Sequence, residues 1–287
     1  MKRGLVLEAT GPVLLFGGCY SNLPATRALL DEARRLGIPP DHVVCTGDVV
    51  AYCADPAATV DAVRAAGIHV VRGNCEESLG TGAGDCGCGF AAGSACDRLS
   101  AAWFAHADAT LADDARNWMR GLPDRMDLVL GGRRLAVVHG SPARINEFVF
   151  PSAPDSVLRH HIEQAAADGV IGGHCGIPFT RTVDGLLWHN PGAIGMPAND
   201  GTPRVWFSIM AERGDNVEIR NLPLAYDHGA AALAMRRAGL ADGYADALES
   251  GLWPSLDVLP SVERDLTGET LAPGTTIWRG GRASACA

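Results

Sequence analysis

Positive charge is the first thing this sequence is short of. Lys and Arg total 24 against 33 Asp and Glu, a formal net charge of −9. A chain with that balance lacks the basic face that general nucleic-acid binding requires. No run of like charges forms a polybasic or acidic tail. Long apolar runs are missing too, and none approaches the ~18 residues a membrane-crossing helix needs. The opening stretch MKRGLVLEATGPVLLFGG has two basic residues and an apolar run, but Glu8 and Gly11-Pro12 interrupt it and no small-residue cleavage site follows. A signal peptide is therefore not expected, and the cytoplasm is the expected location. Paired Cys-x-x-Cys motifs are absent, although the chain holds nine cysteines. An odd count without a secretory signal does not read as a disulfide framework. Reduced thiols are expected, some buried as small hydrophobes and some bound to metal.

What is present is a rhythm of short apolar runs. Residues 13–16 (VLLF), 43–45 (VVC), 69–71 (HVV), 135–138 (LAVV) and 170–171 (VI) each lead into Gly, Asp, Asn or His. Near-continuous short runs fit strands buried on both faces of a helix-covered sheet. Between them, residues 23–36 place apolar groups at helical spacing before Gly37, and residues 56–66 start on Pro and stop before Gly67. Strand, polar loop, helix and strand in turn predict an α/β protein. In that class functional groups gather at the carboxyl ends of strands. Here those loops read GGCYSN, TGDVVAYC, RGNCEESLG, VHGSP and GGHCGIPF. Residues 80–96, rich in Gly and Ala, read as a further loop. Past residue 222 the pattern predicts one helix (HGAAALAMRRAGL) and then a tail punctuated by Pro and Gly.

Asp48, Asn74, His139 and His174 each adjoin a glycine in one of these loops. Carboxylate, amide and imidazole donors together suit zinc, manganese or iron as a divalent ion. The ordered segments GDVVAYCADP, RGN, VVHGSP, GGHCGIPFTR and NPGAIGMP resemble the blocks of the calcineurin-like metallophosphoesterases, in particular the small bacterial phosphodiesterase branch. The resemblance runs from about Val13 to Met210. It implies a four-layer α-β-β-α sandwich, with a metallophosphoesterase-like domain over residues 1–220. Residues 221–287 are then expected as a C-terminal extension packed on the same domain. It also implies that Asp48 bridges two metals and that Asn74, His139 and His174 complete the second. The first metal's other ligands are replaced: Gly18 stands at the aspartate, Tyr20 at the first histidine and Gly176 at the second. Cys75 stands at the histidine that in the family handles phosphate and protonates the leaving group. A thiol, with a reference pKa near about 8.5, does not simply replace imidazole there.

The cysteines divide by position. Cys45, in an apolar strand, and Cys286, near a small-residue terminus, read as buried hydrophobes, and so does Cys53. Cys19, Cys75 and Cys175 lie inside the metal-site blocks, and Cys86, Cys88 and Cys96 follow in the 80–96 loop. A thiolate-bound metal or iron–sulfur cluster using Cys75 with Cys86 and Cys88 is one expectation from this placement. Arg144 closes the HGSPAR stretch, where it can reach a substrate anion. Glu76 and Glu77 are candidates for proton transfer or ligation. His160 and His161 are expected on a solvated helix face, and His189 in a structural role.

Three functions follow. The first is a metal-dependent hydrolase, a phosphoesterase acting on a small phosphate-containing substrate, with Cys75, Glu76 and Arg144 beside a mononuclear or cysteine-containing metal site. The second is a thiolate-rich metal or iron–sulfur enzyme with non-phosphatase chemistry on the same scaffold. The third is a non-catalytic nucleotide or metal binder.

Overall fold

The computed structural model describes residues 5–90 and 93–280. Its strands are β1 (Leu5–Ala9), β2 (Val13–Phe16), β3 (Val43–Cys45), β4 (His69–Val70), β5 (Arg125–Leu130), β6 (Arg133–Val138), β7 (Gly169–Ile171), β8 (Phe179–Val183), β9 (Leu186–Asn190), β10 (Val205–Arg213), β11 (Asn216–Leu224) and β12 (Gly274–Trp278). The helices are α1 (Leu23–Arg35), α2 (Pro56–Ala66), α3 (Asn74–Thr81), α4 (Ala95–Thr110), α5 (Asp113–Gly121), α6 (Asp155–Ala165), α7 (His228–Arg237), α8 (Asp242–Ser250) and α9 (Ser261–Asp265). One six-stranded sheet runs β1-β5-β6-β7-β9-β8 and the other β12-β11-β10-β2-β3-β4.

Alternation along the strands builds the layers. Val13 and Leu15 of β2 join Leu135 and Val137 of β6 in a core between the sheets. Leu14 and Phe16, on the other face of β2, pack under α1, α2, α7 and α8. Ala136 and Val138 turn outward onto Leu158 and Ile162 of α6. Three cores thus separate four layers, helix, sheet, sheet and helix, and both sheets are covered.

Local signals set the helices that frame the site. Asn22 caps α1 by accepting the Ala25 N–H at 3.1 Å, with Pro24 in the first turn. Gly67 ends α2 in the left-handed region at φ 67°. Three expectations are corrected. Asn74–Thr81, read as loop, is helical, because Glu76 closes the first turn onto the Gly73 N–H at 2.9 Å. His161 is buried, on the α6 stripe of Leu158, Ile162 and Ala165, with Glu147 3.5 Å away. The C-terminal tail holds α8, α9 and β12 beyond the one expected helix. Residue 220 falls inside β11, which pairs with both β10 and β12. Cys286 lies outside the described residues. Among the described residues no helix is long and apolar enough to cross a membrane.

Candidate metal centre

Four strands deliver the site from their carboxyl ends. Asp48 follows β3, Asn74 follows β4, His139 follows β6 and His174 follows β7. The loops meet closely: a Cβ on Gly47 would lie 2.7 Å from the Gly73 nitrogen and 2.9 Å from His139 Nδ1. Gly47 also has φ 101°, so glycine is required there on both counts. Asp48 itself sits at φ 55°. Glu76 holds that turn: its Oε2 accepts the N–H of Asp48 at 2.8 Å and of Gly73 at 2.9 Å, while Oε1 accepts that of Val50 at 3.2 Å.

The side chains then converge. His139 Nδ1 donates to the Thr46 carbonyl at 2.7 Å, which in a neutral ring leaves a lone pair on Nε2. Around that Nε2 lie Asn74 Oδ1 and His174 Nδ1, each at 3.0 Å, and Asp48 Oδ2 at 3.2 Å. Asn74 presents its oxygen because its amide NH₂ donates to the Cys86 carbonyl at 2.9 Å. Acceptors crowded on acceptors in a buried space repel unless a proton or a cation lies among them. Nitrogen and oxygen donors at these separations fit a divalent transition ion bound at about 2.0–2.2 Å from each. Asp48, His139 and His174 are the His, Cys, Asp or Glu side chains that converge this way among the described residues.

The electrostatics agree with that geometry. Burial pushes the Asp48 carboxyl up, but His139 more than offsets it and the net shift is down. Burial pushes His139 down, yet the Asp48 carboxylate and the Thr46 carbonyl carry it above its ordinary value. His174 falls to about 3 through burial and the neighbouring His139, so it stays neutral. Its Nε2 is buried without a partner. Glu76 rises to about 7 through burial and the Asp48 charge, partly offset by the amides it accepts.

A side chain occupies the space beside this cluster. Tyr20 folds its ring over Gly18: a Cβ there would come within 2.6 Å of Cε2 and closer still to Cε1 and Cζ. The Tyr20 hydroxyl reaches to 3.5 Å from where a Gly176 Cβ would stand. One ring therefore fills the space between the three positions where first-metal ligands were expected.

The other candidate residues lie around this cluster. The Cys75 thiol is buried, and burial, Asp48 and Glu76 all push its pKa up. The Cys86 and Cys88 sulfurs lie against each other, and the Cys75 and Cys88 sulfurs stand 3.6 and 3.4 Å from the Asn74 amide nitrogen. Cys19 faces Cys45, and Cys175 accepts from Asn190 at 3.1 Å in the α6 core. Arg144 is 68% exposed and paired with Glu147 at 3.2 Å, in a cleft it shares with His139 and Arg72. His189 is structural, held between the hydroxyls of Thr180 at 2.9 Å and Ser208 at 2.7 Å. Sequence reasoning missed the backbone clamp of Glu76, for which the Asn-x-Glu spacing at a helix start was the available signal. It also missed an aromatic pocket beside His174, whose walls come from distant segments that share no motif.

A family profile described as "Calcineurin-like phosphoesterase superfamily domain" matches residues 17–212. Uncharacterized protein MJ0912 of Methanocaldococcus jannaschii is 25% identical over 224 residues, spanning 72% of this chain and 85% of that protein. Among solved structures, hypothetical protein PH1004 from Pyrococcus horikoshii OT3 superposes with a TM-score of 0.72 at 17% identity, covering 87% of this chain and 100% of that one. A metallophosphoesterase from Sphaerobacter thermophilus gives 0.66 at 21% identity, covering 87% and 100%. At these identities both structures speak to the fold alone.

Proposed function

The chain belongs to the calcineurin-like phosphoesterase superfamily, and from that premise we propose that it is a metal-dependent phosphoesterase working with one ion instead of two. The observation that carries this reading is the convergence of Asp48, Asn74, His139 and His174 on one buried point, with Tyr20 filling the neighbouring place. An ion bound there supplies Lewis-acid polarisation of a phosphoryl oxygen and a water of lowered pKa.

The chain's own groups prepare the site. Thr46 fixes the His139 tautomer and the Cys86 carbonyl fixes the Asn74 amide, so both ligands are oriented in advance. Glu76 spends both oxygens on backbone amides and acts by holding the Asp48 turn. Cys75 remains a protonated thiol at the family's leaving-group histidine position, a weaker donor than imidazolium. Turnover is therefore expected for phosphoesters with good leaving groups and little of it for those that need protonation. Arg144, on its exposed rim, meets an incoming substrate anion.

The test is elemental analysis of anaerobically purified protein, with an absorption spectrum, followed by assay of an aryl phosphodiester with manganese, zinc and iron. About one equivalent of metal, no charge-transfer band and metal-stimulated turnover lost in His139→Ala are expected. Inactivity across all three metals would sink the proposal, and a visible thiolate band would return the cysteine-bound centre.

A further inference from the structure

Aromatic residues make up only 6% of the chain. Yet Tyr20, Tyr52, Phe90, Phe148, Tyr244 and Trp253 line a single pocket with a cavity volume of about 70 Å³. Their rings are arranged, not merely near. Tyr20 meets Tyr52 edge to face at 4.8 Å and 74°, and Tyr52 tilts against Tyr244 at 4.7 Å and 40°. Phe148 lies over His174 at 4.2 Å and 37°. No Asp, Glu, Lys or Arg is among the described residues that line the pocket. The wall also includes Gly176, beside the Tyr20 hydroxyl.

His174 links pocket and metal centre. Its Nδ1 belongs to the ligand cluster while the residue forms part of the pocket wall, and its Nε2 has no partner. A phosphoryl group placed at the cluster therefore has its ester substituent beside the aromatic rings. Walls without charge exclude a second phosphate or a carboxylate, which would be desolvated there with no counter-ion. Rings at edge and tilted angles favour another ring, whose edge and face complement theirs at centroid distances of about 4.5–7 Å.

We propose that this pocket is the subsite for an uncharged aromatic group esterified to the substrate phosphate. The inference rests on the phosphoesterase reading above and adds the substrate class. Its test is calorimetric titration of the manganese-loaded full chain with three inert probes: methylphosphonate, cyclohexylphosphonate and phenylphosphonate. Phenylphosphonate is expected to bind about tenfold more tightly than methylphosphonate, a difference of about 1.4 kcal/mol, and more tightly than cyclohexylphosphonate. Ser255→Trp, which places a ring in the pocket, is expected to bring the phenyl-to-methyl ratio towards one. Equal binding of phenyl and methyl probes overturns the subsite while leaving the metal centre's function standing. Cyclohexyl binding as tight as phenyl overturns the aromatic assignment, and failure of all three to bind overturns both proposals. The comparison on the unaltered chain decides the matter even if the variant misfolds.

Discussion

Putting an aspartate back at position 18 perturbs the ring that fills the second metal place. The Cβ of Gly18→Asp would fall within 2.6 Å of Tyr20 Cε2, with two further ring carbons nearer still. Tyr20 is 6% exposed and boxed in by Tyr52, so the ring has little room to yield. Overpacking of this kind costs about 1–3 kcal/mol. The residue would also take φ +34°, where loss of glycine adds about 1 kcal/mol. The sum, about 2–4 kcal/mol, corresponds to a fall in Tm of roughly 3–7 °C for a chain of this size. The informative variant is the double one. Tyr20→Ala alone leaves a cavity worth about 3 kcal/mol. It also removes the clash, so Gly18→Asp in that background should cost only its backbone strain. The expected coupling is therefore about 1–3 kcal/mol in favour of the double variant. Chemical denaturation of the four proteins in chelator measures it. Strict additivity, or a harmless Gly18→Asp alone, would show that Tyr20 does not fill the site as described.

Other outcomes follow from the same geometry. Asn74→Ala and His139→Ala should each lower manganese affinity by more than the about 10–100-fold that loss of an outer partner costs, measured by titration. Glu76→Ala should strand three buried N–H groups, those of Asp48, Val50 and Gly73. At about 1–3 kcal/mol each, the loss should exceed 3 kcal/mol by urea midpoint, and an unshifted midpoint would refute the clamp. His189 is pushed down to about 3 by burial, below its unfolded value of about 6.5. The unfolded chain then binds the extra proton, so stability present above pH 6.5 is lost as pH falls towards 3, at up to about 1.4 kcal/mol per unit. His189→Gln should flatten that slope between pH 6.5 and 5, and an unchanged slope would assign the acid sensitivity elsewhere.

Much of this molecule was legible before its coordinates, for reasons visible in particular residues. The VLLF and VVC runs are strands of those lengths because both their faces are buried, which makes them apolar without alternation. Asn22, Pro24 and Gly67 carry helix ends in their own chemistry. The four candidate ligands were readable because each sits on a glycine-bearing turn straight after a strand. Other features have no local trace. α3 (NCEESLGT) carries Asn, Ser, Gly and Thr, poor helix formers, at half its positions, and the Glu76 clamp and packing hold it in place. The aromatic pocket joins rings from residues 20 to 253, a tertiary assembly that no sequence window contains. His161 was readable after all: it lies three residues after Leu158 and one before Ile162, on the buried stripe of α6.

The division of the candidate ligands between the sheets has a mechanical consequence. Asp48 and Asn74 ride on β3 and β4 of one sheet, and His139 and His174 on β6 and β7 of the other. An ion held by all four would be a rivet through the sandwich, and parting the sheets would tear out two of its ligands. Its binding free energy adds to the resistance of both halves together. Amide exchange in β3 and β7, strands of different sheets, should slow in step as manganese is added.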